Sequence, residues 1–175
     1  LRLVGSEMCI RDRFYPINST ALGIFNEMIT EYKNSELWYR AASQWADRNG
    51  FKCFSDWLVE RQHLMHHYAH RIERRITDNG GLPDASKLSN IDSSDFESIL
   101  NILALAVKFE YEMCDSWQSN YTKLLSETPK DANFIMKYIK KQEKSVKCLQ
   151  AKQNTFDGAP NDKLSLLELS KIAFK

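Results

Sequence analysis

Glycine and proline are scarce, with six and four in 175 residues. An all-β fold of many short strands needs more turn residues than that. No run approaches eighteen apolar residues, which argues against a membrane-spanning helix. There is no basic block, and the net charge is +1. The chain therefore lacks the electrostatic footprint of a nucleic-acid binder. No Cys-x-x-Cys occurs, and Cys9, Cys53, Cys114 and Cys148 lie far apart. That pattern fits reduced thiols in a cytoplasmic compartment better than a disulfide framework. What is present is ordinary for one globular domain with a sizeable core: 43% hydrophobic and 27% charged residues.

Residues 1–13 show neither helical nor strand periodicity. Leu1 to Arg13 resembles a translated sequencing adapter and lacks the apolar core of a signal peptide. The domain is expected over residues 14–175. The leader carries Arg2, Arg11 and Arg13 against Glu7 and Asp12, so the remainder is neutral.

The rest reads as helices. Leu22, Phe25, Ile29, Tyr32, Tyr39 and Trp45 fall near a 3.6-residue period and predict a first helix from Ser19 to Arg48. Asn49-Gly50 ends it. A second helix is predicted from Phe51 to about Thr77, with Phe54, Trp57, Leu58, Met65, Tyr68 and Ile72 on one face. Ser94-Asp95-Phe96-Glu97 reads as a capping box opening a third helix, which runs through Glu110 to about Leu125. Thr128-Pro129 suits the start of a fourth, to about Asn154. Lys163 to Phe174 predicts a short fifth.

Loop lengths give the topology. The first and second helices are joined by a tight turn, as are the third and fourth. The connection from Asn79 to Ser93 is long. Helices of about 27 residues span about 40 Å, and about fifteen extended residues reach about 50 Å. The connection can therefore cross the bundle and set the third helix parallel to the second. The expected fold is all-α: an up-down four-helix bundle with one long crossover.

Four segments carry a family resemblance. Phe25-Asn26-Glu27 through Tyr39 to Trp45 is similar to the first helix of bacterial non-haem ferritins. Thr77-Asp78-Asn79-Gly80-Gly81-Leu82-Pro83 resembles the exit of their second helix. Lys108-Phe109-Glu110 resembles their third-helix glutamate segment, and Tyr138-Ile139-Lys140-Lys141-Gln142 their fourth-helix glutamine segment. The resemblance spans roughly residues 20–150 and rests on distributed similarity. It implies a ferritin-like cage subunit that stores iron, with non-haem iron bound by carboxylates and a histidine. The implied partners are ferrous iron and either copies of itself or iron-oxidising ferritin subunits.

Carried over by position, the resemblance also implies a degenerate iron centre. The first-helix glutamate falls on Tyr32, and the second-helix glutamate and histidine fall on Met65 and Tyr68. The third-helix glutamate is kept as Glu110 and the fourth-helix glutamine as Gln142. The next fourth-helix glutamate falls on Ser145. Accessory acidic positions fall on Leu64, Lys141 and Lys144. The family's redox-active tyrosine is kept as Tyr39. One carboxylate and one amide are too few to hold two irons. A buried carboxylate must still be paired, and Lys141 or Lys144 is the expected partner of Glu110. A one-residue slip in the first helix would put Glu31 at the ligand position instead. Glu60 and His63 have Glu-x-x-His spacing, but five residues too early.

His63, His67 and His70 form one stripe on the second helix, with His66 beside it, and His63 and His67 lie about 200° from Met65. In a cage that face would look into the cavity. It reads either as a metal or mineral-nucleation patch or as a solvated polar face. Three functional readings follow: a cage subunit with an inactive iron site, a working ferroxidase rearranged around Glu36, Glu110 and Glu143, and a bundle that binds a partner without forming a cage.

Overall fold

A computed structural model describes residues 16–84 and 87–175. The leader at residues 1–13 lies outside the described residues. The described residues form five α-helices: α1 (Ser19–Arg48), α2 (Lys52–Asp78), α3 (Ile99–Glu127), α4 (Pro129–Phe156) and α5 (Lys163–Ala173).

The helix ends follow local chemistry. Asn18 caps α1, its Oδ1 accepting from the Thr20 amide at 2.7 Å. Gly50, at φ 84°, takes the left-handed conformation that turns α1 into α2. Pro129 opens α4 at its first turn, while the Thr128 hydroxyl makes no capping bond and is buried without a partner. The third helix corrects the sequence expectation. Ser93–Asp95 forms a 3₁₀ turn capped by Asp92, and α3 begins four residues later than the predicted box. Ser98 Oγ accepts from the Asn101 amide at 3.0 Å, and Asn101 Oδ1 accepts from the Glu97 amide at 3.2 Å. The same reciprocal logic operates, shifted by one turn with Asn in place of Glu.

Contacts between helices give their directions. Tyr39, Ser35 and Glu31 of α1 meet Glu110, Met113 and Trp117 of α3 in that order, so α1 and α3 are antiparallel. Arg61, Tyr68 and Arg75 of α2 meet Ser145, Tyr138 and Asp131 of α4, so these two are also antiparallel. The tight turn makes α1 and α2 antiparallel, so α2 and α3 are parallel and the crossover does run the length of the bundle. It is not a free loop. The Asp84 amide donates to Asn26 Oδ1 at 2.9 Å and the Ser89 amide to Asn34 Oδ1 at 2.8 Å, while Phe96 packs on Trp38. The crossover thus climbs α1 from Asn26 to Trp38. At its start an added Cβ on Gly81 would lie 2.7 Å from Ile76 Cγ2, so the close approach itself requires glycine.

The core is continuous. On α2 the buried residues are Phe54, Leu58, Arg61, Met65, Ala69, Ile72 and Ile76, at steps of three and four apart from Ser55 beside Phe54. One member of that stripe is an arginine. Helix α5 closes one end of the bundle, with Phe174 packed against Phe54, Trp57 and Phe156. No described helix is long and apolar enough to cross a membrane. Cys53, Cys114 and Cys148 are free thiols.

Candidate functional site

Glu110 sits on the inward face of α3, fully buried. Its two oxygens are met from all three other long helices. Oε1 accepts from Arg61 Nη2 of α2 at 2.5 Å and from the Tyr39 hydroxyl of α1. Oε2 accepts from Gln142 Nε2 of α4 at 2.8 Å and from the Ser145 hydroxyl. A carboxylate offers about four lone-pair positions, and all are taken.

Arg61 is the counter-ion. It is 8% exposed, its Nη2 also bonds Ser145 Oγ, and its guanidinium lies over Tyr39 and Trp57, 5.2 and 5.4 Å from the ring centroids. Burial alone disfavours a charged guanidinium, but Tyr39 and Glu110 hold its pKa above the usual arginine range. Burial also pushes the Tyr39 phenol upward, and the Glu110 charge adds to it. Tyr39 is therefore a neutral donor at physiological pH. The Arg61 Nε has no partner.

The expected lysines are elsewhere. Lys141 Nζ lies over the Tyr68 ring at 4.6 Å and the Tyr138 ring at 5.6 Å, and Lys144 is exposed. Chain geometry explains the difference. The arginine projects from a stripe position one turn before Met65, inside the core, whereas both lysines sit on the outward side of α4. The sequence did hold the signal: a cation at a core position of α2's three-and-four spacing demands an anion nearby.

The remaining predicted positions separate into two groups. Gln142, Ser145 and Tyr39 gather at Glu110. Tyr32 and Met65 are buried in the core, and Tyr68 is half-buried. Tyr32 packs on Tyr68, Trp117 and Tyr138 with centroids 5.4, 4.9 and 6.3 Å away. Its hydroxyl is buried without a partner. Glu36 instead meets His66 on the surface at 3.2 Å, and Glu143 is exposed and accepts from Gln118 Nε2 at 3.0 Å. Neither reaches Glu110. Glu31 accepts from Trp117 Nε1, and Glu60 and His63 are exposed. His67 and His70 are exposed as well. Among the described residues, no three His, Cys, Asp or Glu side chains stand together as a metal-ligand set.

An up-down bundle with one full-length crossover, closed by a short fifth helix and holding a glutamate on an inner face, defines the ferritin-like class of helical bundles. The ferritin-like domain model matches residues 23–159, and the chain belongs to that family. None of the curated proteins compared with the chain matches it. A paired iron centre in such bundles takes a glutamate from each of two helices and Glu-x-x-His from the other two. With Glu110 saturated and no cluster of three His, Cys, Asp or Glu among the described residues, the donor set here does not fit two irons.

Two outcomes test the centre. Arg61→Leu or Glu110→Leu alone should cost about 3–5 kcal/mol, because each strands a buried charge, while the double substitution should cost far less than their sum. Urea unfolding of the four proteins measures this, and additive losses would contradict the pairing. The second outcome concerns Glu31. Burial raises its carboxyl from 4.5 to about 7, the Trp117 N–H opposing and Glu27 adding. The folded state then holds this proton more tightly than the unfolded chain. That stability is present below the unfolded pKa and is lost as pH rises through about 7. Glu31→Gln should therefore gain melting temperature relative to wild type as pH rises from roughly 5 to 8. A constant difference across that range would refute it.

Proposed function

We propose that this chain is a ferritin-like cage or storage subunit whose iron-oxidising position is closed by the Arg61–Glu110 pair. The observation that carries the reading is the saturation of Glu110: Arg61, Tyr39, Gln142 and Ser145 occupy both of its oxygens. A guanidinium supplies the positive charge that the family's iron would supply, and it does so permanently. A ferrous ion entering would have to displace a buried ion pair and find its other ligands among Tyr32, Met65 and Tyr68. Tyr39 in this reading is a hydrogen-bond donor that positions the carboxylate, and not a redox group.

Ferrous iron remains the cargo the family implies, handled in the cytoplasm by an assembly rather than oxidised by this core. The chain assembles with copies of itself, or with ferritin subunits that carry a working centre. Glu36 and Glu143 lie away from Glu110, so the rearranged ferroxidase finds no support.

The test is aerobic oxidation of ferrous iron by the purified chain, alongside its particle size. Oxidation should proceed no faster than in buffer, and light scattering should report a large symmetric particle. Rapid stoichiometric oxidation abolished by Glu110→Ala would overturn the inactive centre. A strictly monomeric solution would overturn the cage.

A further inference from the structure

Four histidines stand on the solvent face of α2, away from the Glu110 core. They form two pairs at i, i+4: His63 with His67, and His66 with His70. Residues at that spacing share a helix face, with Cβ atoms about 5–6 Å apart. The two pairs differ in what stands behind them. His66 Nδ1 lies 3.2 Å from Glu36 Oε2 of α1. His70 Nδ1 lies 3.6 Å from Glu73 Oε2, and the other oxygen of Glu73 is held by Lys33 Nζ at 2.6 Å. Among the described residues, neither His63 nor His67 has a carboxylate partner.

The Glu36 carboxylate at His66 Nδ1 keeps the imidazole proton on that nitrogen and leaves the Nε2 lone pair free, which is the arrangement that orients metal-bound histidines; Glu73, at 3.6 Å, stands beyond hydrogen-bond reach of His70. The rings themselves are open to solvent, with side-chain exposures of 68% for His66 and 59% for His70, while the carboxylates behind them are only about one quarter exposed. We propose that His66 and His70 form a two-imidazole site for a borderline divalent cation such as Zn²⁺, with Glu36 as a positioning residue. Neutral imidazole suits Zn²⁺, Cu²⁺ and Ni²⁺, whereas Mg²⁺ and Ca²⁺ prefer all-oxygen sets. The two histidines supply half of a tetrahedral shell and water supplies the rest. The site is independent of the state of the core, because no residue of the Arg61–Glu110 centre takes part.

Calorimetric titration of the full chain with zinc chloride tests the site. Wild type should show saturable uptake. His66→Ala with His70→Ala should abolish that uptake, and Glu36→Gln should weaken it about 10–100-fold. His63→Ala with His67→Ala should retain it. All of these side chains lie on the helix surface, so unchanged thermal melts will show that the variants are folded. Absence of uptake by wild type, unchanged uptake by the His66/His70 variant, loss in the His63/His67 variant instead, or indifference to Glu36→Gln would each overturn the assignment.

Discussion

A carboxylate without solvent must be neutralised and hydrogen-bonded on both oxygens, and in this bundle that requirement falls on Glu110. The cost of leaving such a charge unpaired is several kcal/mol, a large share of the total stability of a domain of this size. Each long helix therefore contributes to one point. Helix α3 supplies the carboxylate, α1 the Tyr39 hydroxyl, α2 the Arg61 guanidinium, and α4 the Gln142 amide and Ser145 hydroxyl. The pairing sets the register of all four helices at that level, because a shift of one residue on any of them would withdraw a partner.

The neighbouring layer follows from the same constraint. Beside Glu110 the core holds Tyr32, Met65, Tyr68, Trp117 and Tyr138, and, among the described residues, no cluster of carboxylates that would repel one another. The rings of Tyr68, Trp117 and Tyr138 gather around that of Tyr32, and large buried side chains each contribute about 1.5–3 kcal/mol. The fit is imperfect at two atoms. The Tyr32 hydroxyl and Arg61 Nε are buried without partners, and both flank the centre. Apolar packing thus carries stability that, in a metal-binding bundle, depends on occupancy.

Much of this was legible before the fold was known. The 3.6-residue periodicity located α1 and α2, and loop lengths placed α3 parallel to α2. The start of α3 lies one turn beyond the predicted box because Ser98 and Asn101 offer a second serine-led cap just after Ser94 and Glu97. Phe96, between the two serines, packs on Trp38. Gln142 and Tyr39 were placed with Glu110 by resemblance. Arg61 was missed for a physical reason. Lys141 and Lys144 neighbour Gln142 in sequence, yet it is the guanidinium that reaches the carboxylate, along its own long stem from one turn away. The rearranged-ferroxidase reading groups Glu36 with Glu110. Glu36 meets His66 on the surface instead.

If the guanidinium stands where the family's metal would act, the fold should be indifferent to metal at its core. Thermal unfolding of the chain carrying His66→Ala and His70→Ala, with surface chelation by those residues thereby removed, isolates the core. Ligands that bind only the folded state raise its melting temperature in proportion to their binding free energy. The melting temperature should be the same in ferrous iron, in chelator and in neither. A rise with ferrous iron, or a fall on chelation, would contradict the account by revealing a metal bound where Arg61 and Glu110 are paired.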